Sequence, residues 1–195
     1  MSTIVAVQKN GVAVIGADTL TKFGGTKENA GYIVNPSKIV KIGQSYIACV
    51  GHASFGLVLE SYFASLKAIP RLDSPKDIFK FSLQLHQKLK KNYFLRPEEH
   101  DDDEFESSQF FCLIANASGI FGLYNLRSVQ AYSKFYSFGT GYRFAVGAMH
   151  AVYDQADTAE AIARAGLAAA VEFDDCTSLP LELYSIKLKT RPPKT

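Results

Sequence analysis

A chain of 195 residues, 47% hydrophobic and 21% charged, has the size and composition of one globular domain and excludes disordered, collagen-like and coiled-coil chains. Twenty-one Lys and Arg against 19 Asp and Glu leave a net charge of +2, which gives no electrostatic case for a nucleic-acid partner. No apolar run approaches the roughly 20 residues that a membrane span needs.

The opening MSTIVAVQKN lacks the basic n-region and small-residue cleavage site of a signal peptide, so a cytoplasmic location is expected. Cys49, Cys112 and Cys176 are odd in number and far apart. They form no CxxC pair and no metal spacing, and read as buried thiols of a reducing compartment.

In chain order, residues 3–7 are β-rich, 9–11 supply a hairpin turn, and 12–18 form the returning strand. The near-continuous apolar character of 12–18 predicts cover on both faces. Residues 19–31, rich in Gly and polar side chains, read as a loop. Short strands are predicted over 32–34, 38–42 and 45–50.

The period then changes. Apolar residues recur at helical spacing over 54–69, where Pro70 ends the run. Ser74 with Pro75 marks the cap of a second helix reaching about Phe94. Residues 98–106, dense in Asp and Glu, read as a solvated acidic loop.

Strands resume over 110–115 and 119–124, and one or two more over 131–138. Gly139-Thr140-Gly141 breaks the pattern. Ala-rich helices follow over 142–153 and 158–173, the second capped by Asp157 or Thr158. A last strand covers 181–188, and 191–195 form a frayed tail. Strands, two helices, strands, two helices, strand: this order predicts two sheets stacked face to face, each covered outside by a helical pair, in one domain over 1–195.

The sequence holds no GxGxxG, P-loop, GxSxG or HExxH motif. His52, His86, His100 and His150 lie away from other ligands at metal spacing, and His86 reads as structural. No metal or organic cofactor is expected. What remains is the N-terminus. Ser2 permits removal of Met1, which would place a hydroxyl beside a free α-amine of ordinary pKa about 7.7–8.0. Nucleophile and general base would then reside in one residue.

Residues 2–7, the Asn10-Gly11 turn, the strand ending Gly16-Ala17-Asp18, Lys38-Ile39, Val50-Gly51 and Gly139-Thr140-Gly141 resemble proteasome β-type peptidases, most closely the HslV type. A betaproteobacterial branch of bacterial proteasome homologues fits best. The resemblance covers nearly the whole chain. It implies an α+β fold, the four-layer αββα sandwich of N-terminal nucleophile hydrolases.

By that resemblance Ser2 is the nucleophile, Asp18 the acidic residue at the second strand's end and Lys38 the catalytic lysine. Gly51 supplies the oxyanion-hole N–H. Thr140, Asp175 and Ser178 match supporting positions, with Asp174 as the match if the register slips by one. Thr21 and Lys22 align with positions that contact substrate backbone. Cys49 and Ala53 align with the first specificity pocket.

The resemblance further implies a homo-oligomer, a double ring of twelve or fourteen subunits, with Phe135, Tyr136 and the helix from Tyr142 as contact candidates. An AAA+ unfoldase feeding unfolded protein is the implied partner. Three departures stand out. Ser replaces the usual Thr and lacks the methyl that restricts χ1. Residues 19–38 form a longer stretch than in HslV-type chains. Leu179-Pro180 stands where many relatives have glycines. The first and last of these departures motivate an alternative, a catalytically silent or latent barrel serving as compartment or scaffold.

Overall fold

The computed structural model describes residues 2–96 and 104–190. Met1, most of the acidic segment and the 191–195 tail lie outside the described residues.

β1 (Thr3–Lys9) and β2 (Val12–Asp18) form an antiparallel hairpin. Its turn residues Asn10 and Gly11 take φ of 50° and 75°, the double left-handed turn that matches strand twist. Residues 19–31, expected as plain loop, include a small hairpin of β3 (Thr21–Phe23) and β4 (Thr26–Glu28). The strand predicted over 32–34 is absent. A short 3₁₀ turn occupies Ala30–Tyr32, and Tyr32 and Val34 are almost fully exposed, so their apolar character finds no partner strand.

β5 (Ile39–Ile42) and β6 (Ser45–Val50) form the next hairpin, followed by α1 (Phe55–Ala64) and α2 (Pro75–Asn92). α1 ends five residues before the predicted stop. Ser74 caps α2 as predicted, its Oγ accepting the Asp77 N–H at 3.2 Å. β7 (Phe111–Asn116), β8 (Gly119–Leu123), β9 (Val129–Tyr132) and β10 (Phe135–Gly139) come next. The chain closes with α3 (Tyr142–Val152), α4 (Ala159–Phe173) and β11 (Leu181–Lys187). Thr158 is the cap of α4, its Oγ1 accepting the Ala161 N–H at 3.1 Å.

The strands build one antiparallel sheet in the order β10-β1-β2-β11 and another in the order β5-β6-β7-β8-β9. The 129–139 stretch therefore splits, β9 joining one sheet and β10 the other. The fold is α+β, with four α-helices and antiparallel sheets among the described residues.

Side-chain alternation assigns three cores. Val5, Val7 and Val14 pack with Met149, Ile162 and Leu167 of α3 and α4. Ile4, Ala6, Ile15 and Ala17 turn the other way, onto Leu113, Ala115 and Ile120 of the second sheet. Ile47, Ile114 and Phe121 then face Leu59, Tyr62, Ile78 and Leu85 of α1 and α2. β1 and β2 are thus apolar on both faces because both are covered, as their sequence predicts. Each fully buried Leu or Ile contributes about 1.5–3 kcal/mol. No described helix is long and apolar enough to cross a membrane.

The reading of three buried thiols holds for Cys176 alone. Cys49 and Cys112 are directly opposed in the β6–β7 register, 4.3 Å apart at Cα, and form a disulfide. That spacing is typical of a pair that exchanges no backbone hydrogen bonds. Sixty-three residues of sequence separate the two cysteines, so only the sheet order brings them together.

Candidate active site

The β1–β2 hairpin places Ser2, just ahead of β1, near Asp18 at the end of β2. Asp18 is fully buried. Its Oδ1 accepts the Thr3 N–H at 2.9 Å and its Oδ2 the Leu20 N–H at 3.0 Å. Lys38, immediately before β5, brings Nζ to 2.8 Å from the same Oδ2. This contact is a close ion pair rather than a well-aligned hydrogen bond, and Nζ is shut off from solvent. Burial pulls the Lys38 ammonium below the ordinary lysine range, while the Asp18 carboxylate opposes that shift. The residue expected to pair with Asp18 does so.

Ser2 itself is largely buried, 7% exposed. Its carbonyl accepts the Thr140 N–H at 3.0 Å. Gly139, paired with Thr3 in the β1–β10 register, has φ of 110°, and a Cβ there would lie 1.8 Å from the Ser2 carbonyl oxygen. Only glycine lets the two chains approach so closely. Gly51, just past β6, also needs glycine. Its φ is 154°, and a Cβ would meet the Gln109 carbonyl at 3.0 Å.

Beyond Thr140 runs a directional chain of hydroxyls. The Gly141 N–H donates to Thr3 Oγ1 at 3.2 Å. Thr3 Oγ1 lies 2.6 Å from Thr177 Oγ1, which donates to Asp174 Oδ2 at 2.5 Å. Because Thr177 spends its proton on Asp174, Thr3 must donate to Thr177. Thr140 Oγ1 donates to the same Asp174 oxygen at 2.8 Å.

Of the two aspartates that the sequence resemblance leaves open, Asp174 is the one bonded to Thr140, and Thr177 bonds the same carboxylate. Asp175 instead is exposed and pairs with Lys22, which holds its carboxyl below the usual range. Asp174 is the C-cap of α4, its N–H donating to the Ala170 carbonyl. Thr3 and Thr177 were not singled out as site residues, and Gly139 only as part of the Gly139-Thr140-Gly141 motif. Thr3 carried a signal, a hydroxyl opening a strand whose next four residues, Ile4 to Val7, are all apolar.

Two cavities meet at Ser2. A small one of about 210 Å³ is lined by Ser2, Lys38 and Gly51. Thr21, Lys22, Cys49 and Ala53 line it too, so the sequence-predicted substrate contacts converge there. Val40, Phe55 and Leu59 add apolar surface. The larger cleft, of about 800 Å³, shares Ser2, Gly51 and His52 with the small one.

A second array of Ser, His and acid also exists. His86 bonds Ser108 through Nδ1 at 2.9 Å and Glu106 through Nε2 at 3.1 Å. Arg127 donates to the Ser108 hydroxyl at 3.4 Å. Ser108 is buried and lines neither cavity at Ser2, so the array anchors residues 106–108 to α2. Asp174, Asp175 and Cys176 bring their ligand atoms within 4.8 Å of one another, but Asp174 is engaged by two threonines and Asp175 by Lys22.

The two antiparallel sheets, the buried Asp18–Lys38 pair and Ser2 ahead of β1 are the features on which the expected resemblance to proteasome β-type chains rests. Neither a protein-family model nor a curated protein matches the chain. Among solved structures, Thiobacillus denitrificans BPH is 46% identical, matching 97% of this chain and 100% of its own at a TM-score of 0.93. The same protein in complex with epoxomicin matches 96% of this chain and 100% of its own, at 46% identity and a TM-score of 0.91. HslV from Trypanosoma brucei matches 95% of this chain and 99% of its own at 18% identity and a TM-score of 0.67, a likeness of fold. The chain belongs to the BPH family, the bacterial proteasome homologues.

Proposed function

We propose that the protein is an N-terminal serine peptidase, a single-domain subunit of a proteasome-like barrel with the αββα layer order of N-terminal nucleophile hydrolases. The observation that carries this reading is the convergence of Ser2, Lys38 and Gly51 on one cavity, with Asp18 holding both Lys38 and the backbone next to Ser2.

With Met1 removed, the Ser2 α-amine takes the hydroxyl proton as Oγ bonds the peptide carbonyl carbon. The Gly51 N–H holds the resulting oxyanion. Donors of that kind contribute about 2.7–4 kcal/mol in other hydrolases. The C–N bond then breaks, the amine's proton passes to the leaving nitrogen, and an ester on Ser2 remains. Water, deprotonated by the same amine, hydrolyses the ester and restores the hydroxyl. Lys38 stabilises the developing negative charge at Oγ. Asp174, with Thr140 and Thr177, fixes the backbone around Ser2.

That the 46% identical Thiobacillus denitrificans protein has been solved with epoxomicin supports a reactive N-terminal residue here. The barrel is read as a cytoplasmic double ring of six- or seven-membered rings, supplied with unfolded protein by an AAA+ unfoldase. Phe144 and Phe173, exposed and packed together with ring centroids 5.5 Å apart, give α3 and α4 an apolar outer face for a neighbouring copy. Phe135 and Tyr136, expected at that contact, are largely engaged within the fold against Tyr153, Tyr132 and Phe138.

The test is cleavage of an unfolded protein by the wild type and by Ser2→Ala. The account expects the variant to lose cleavage while keeping the wild-type oligomer. Full cleavage by Ser2→Ala would overturn it.

A further inference from the structure

We infer that the larger cleft at Ser2 selects the residue after the cleaved bond and takes a large apolar or aromatic side chain there. This deepens, and rests on, the peptidase reading above.

The argument starts from geometry. Ser2 and Gly51 line both cavities, so a carbonyl attacked by Ser2 sits at their junction. An extended chain advances about 3.3 Å per residue and cannot keep both sides of the scissile bond in a 210 Å³ space. One side of the substrate therefore enters each cavity. The small cavity holds Cys49 and Ala53, which the sequence resemblance aligns with the first specificity pocket and so with the half that is acylated, and this leaves the large cleft to the departing half.

The chemistry of the cleft then sets what that half can be. Phe111, Tyr124, Tyr136, Phe138 and Tyr142 line it. Four of these rings brace one another. Tyr124 meets Phe138 edge-on at 5.0 Å and 85°, and Tyr136 meets Phe138 at 5.4 Å and 76°. Phe111 contacts both Tyr124 and Phe138, at 6.0 and 5.3 Å. Stacking of Tyr136 on Tyr132 and the Tyr124–Tyr132 hydroxyl bond at 2.9 Å lock the wall from behind. Such a preformed aromatic wall offers edges and faces to an incoming apolar group at little ordering cost.

No Lys, Arg, Asp or Glu is among the described residues that line this cleft, whereas Lys22 and Lys38 line the small cavity. A charged side chain entering the cleft would lose hydration against the aromatic wall, and only His52 and the Ser2 amine, both at the junction with the small cavity, could offset it among the described residues. The cleft therefore rejects charge and rewards apolar surface, independently of what the acyl cavity prefers.

The test uses the intact oligomer and a peptide series with one fixed acyl half, in which the residue after the cleaved bond is Phe, Leu, Gly, Asp or Lys. A companion series varies the residue before it. Products are assigned by mass and kcat/KM is measured for each peptide. Phe and Leu should exceed Asp and Lys by roughly tenfold to a hundredfold, the range that apolar pockets deliver. Tyr142→Lys should shift the Phe-to-Asp ratio toward Asp. Cleavage with no discrimination after the bond, or a ratio that Tyr142→Lys leaves unmoved, overturns the inference while the peptidase reading stands. Absence of cleavage and of any acyl-enzyme with every peptide overturns the peptidase reading itself, and the inference falls with it.

Discussion

Asp18→Asn removes one charge from a site where three donors converge. Asp18 is fully buried, accepts from the Thr3 N–H and the Leu20 N–H, and holds Lys38 Nζ in an ion pair. Asparagine keeps the shape but has one acceptor oxygen. Its best orientation keeps that oxygen toward Lys38 and Leu20 and turns the amide NH₂ onto the Thr3 N–H, donor against donor. An orphaned buried N–H costs about 1–3 kcal/mol. Lys38 meanwhile loses the nearer of the two carboxylates, Asp18 and Asp174, that hold its charge against burial, and breaking a buried pair in this way costs about 3–5 kcal/mol in total. For a chain of this size each kcal/mol is worth about 2–4 °C, so melting should fall by roughly 6–20 °C. Differential scanning calorimetry of wild type and variant reads this directly. Adding Lys38→Met to Asp18→Asn should recover part of the loss, because no uncompensated charge then remains. Neither the single nor the double variant should cleave peptides. A shift under about 2 °C for Asp18→Asn, or a double variant less stable than the single one, would refute the reasoning.

The remaining predictions address the supporting shell. Asp174→Asn should lower kcat at least tenfold by weakening both threonine bonds, while Asp175→Asn, which loses only an ion pair to Lys22 from an exposed carboxylate, should change it less than twofold. Steady-state kinetics on the two variants settles the register. Gly139→Ala should destabilise by about 2–5 kcal/mol, since a left-handed φ costs about 1–2 and overpacking about 1–3, and denaturant unfolding measures it. Five tyrosines have raised pKa values. Burial lifts Tyr62, Tyr132 and Tyr153, Tyr136 is lifted first by its hydrogen bond with Tyr124, and Tyr184 is pushed up to about 12 by donating to Glu182. Above pH about 10 the unfolded chain therefore releases tyrosine protons that the native state retains, so stability falls as pH rises from 10 towards 12. With no Trp in the chain, tyrosinate absorbance follows this without interference, and a native titration matching that of the unfolded chain would contradict it.

How far the sequence could be read depended on whether a residue's partner lay nearby in the pattern. β1 and β2 were legible because the Asn10-Gly11 turn forces their pairing and both faces are apolar. The Asp18–Lys38 pair followed from motif resemblance and is present at 2.8 Å. Residues 19–38 were not legible. Tyr32 and Val34 look like strand residues, yet no neighbouring strand pairs with them. The split of β9 from β10 was hidden for a related reason, since both halves of 129–139 alternate alike and only the sheet order separates them. The Cys49–Cys112 bond needed β6 beside β7, a long-range pairing without a local signal. Asp174 and Asp175 differ by one position, and the choice rests on which carboxylate faces Thr140.

The central claim is that Ser2, once exposed as the first residue, is a working nucleophile beside its own amine. Intact mass before and after incubation with a peptide epoxyketone tests it most directly, because that reagent needs hydroxyl and amine together. The account predicts a chain lighter by Met1 that gains one inhibitor per subunit, and a Ser2→Ala chain that gains none. A wild-type chain that retains Met1, or that loses it and gains no adduct, would contradict the account.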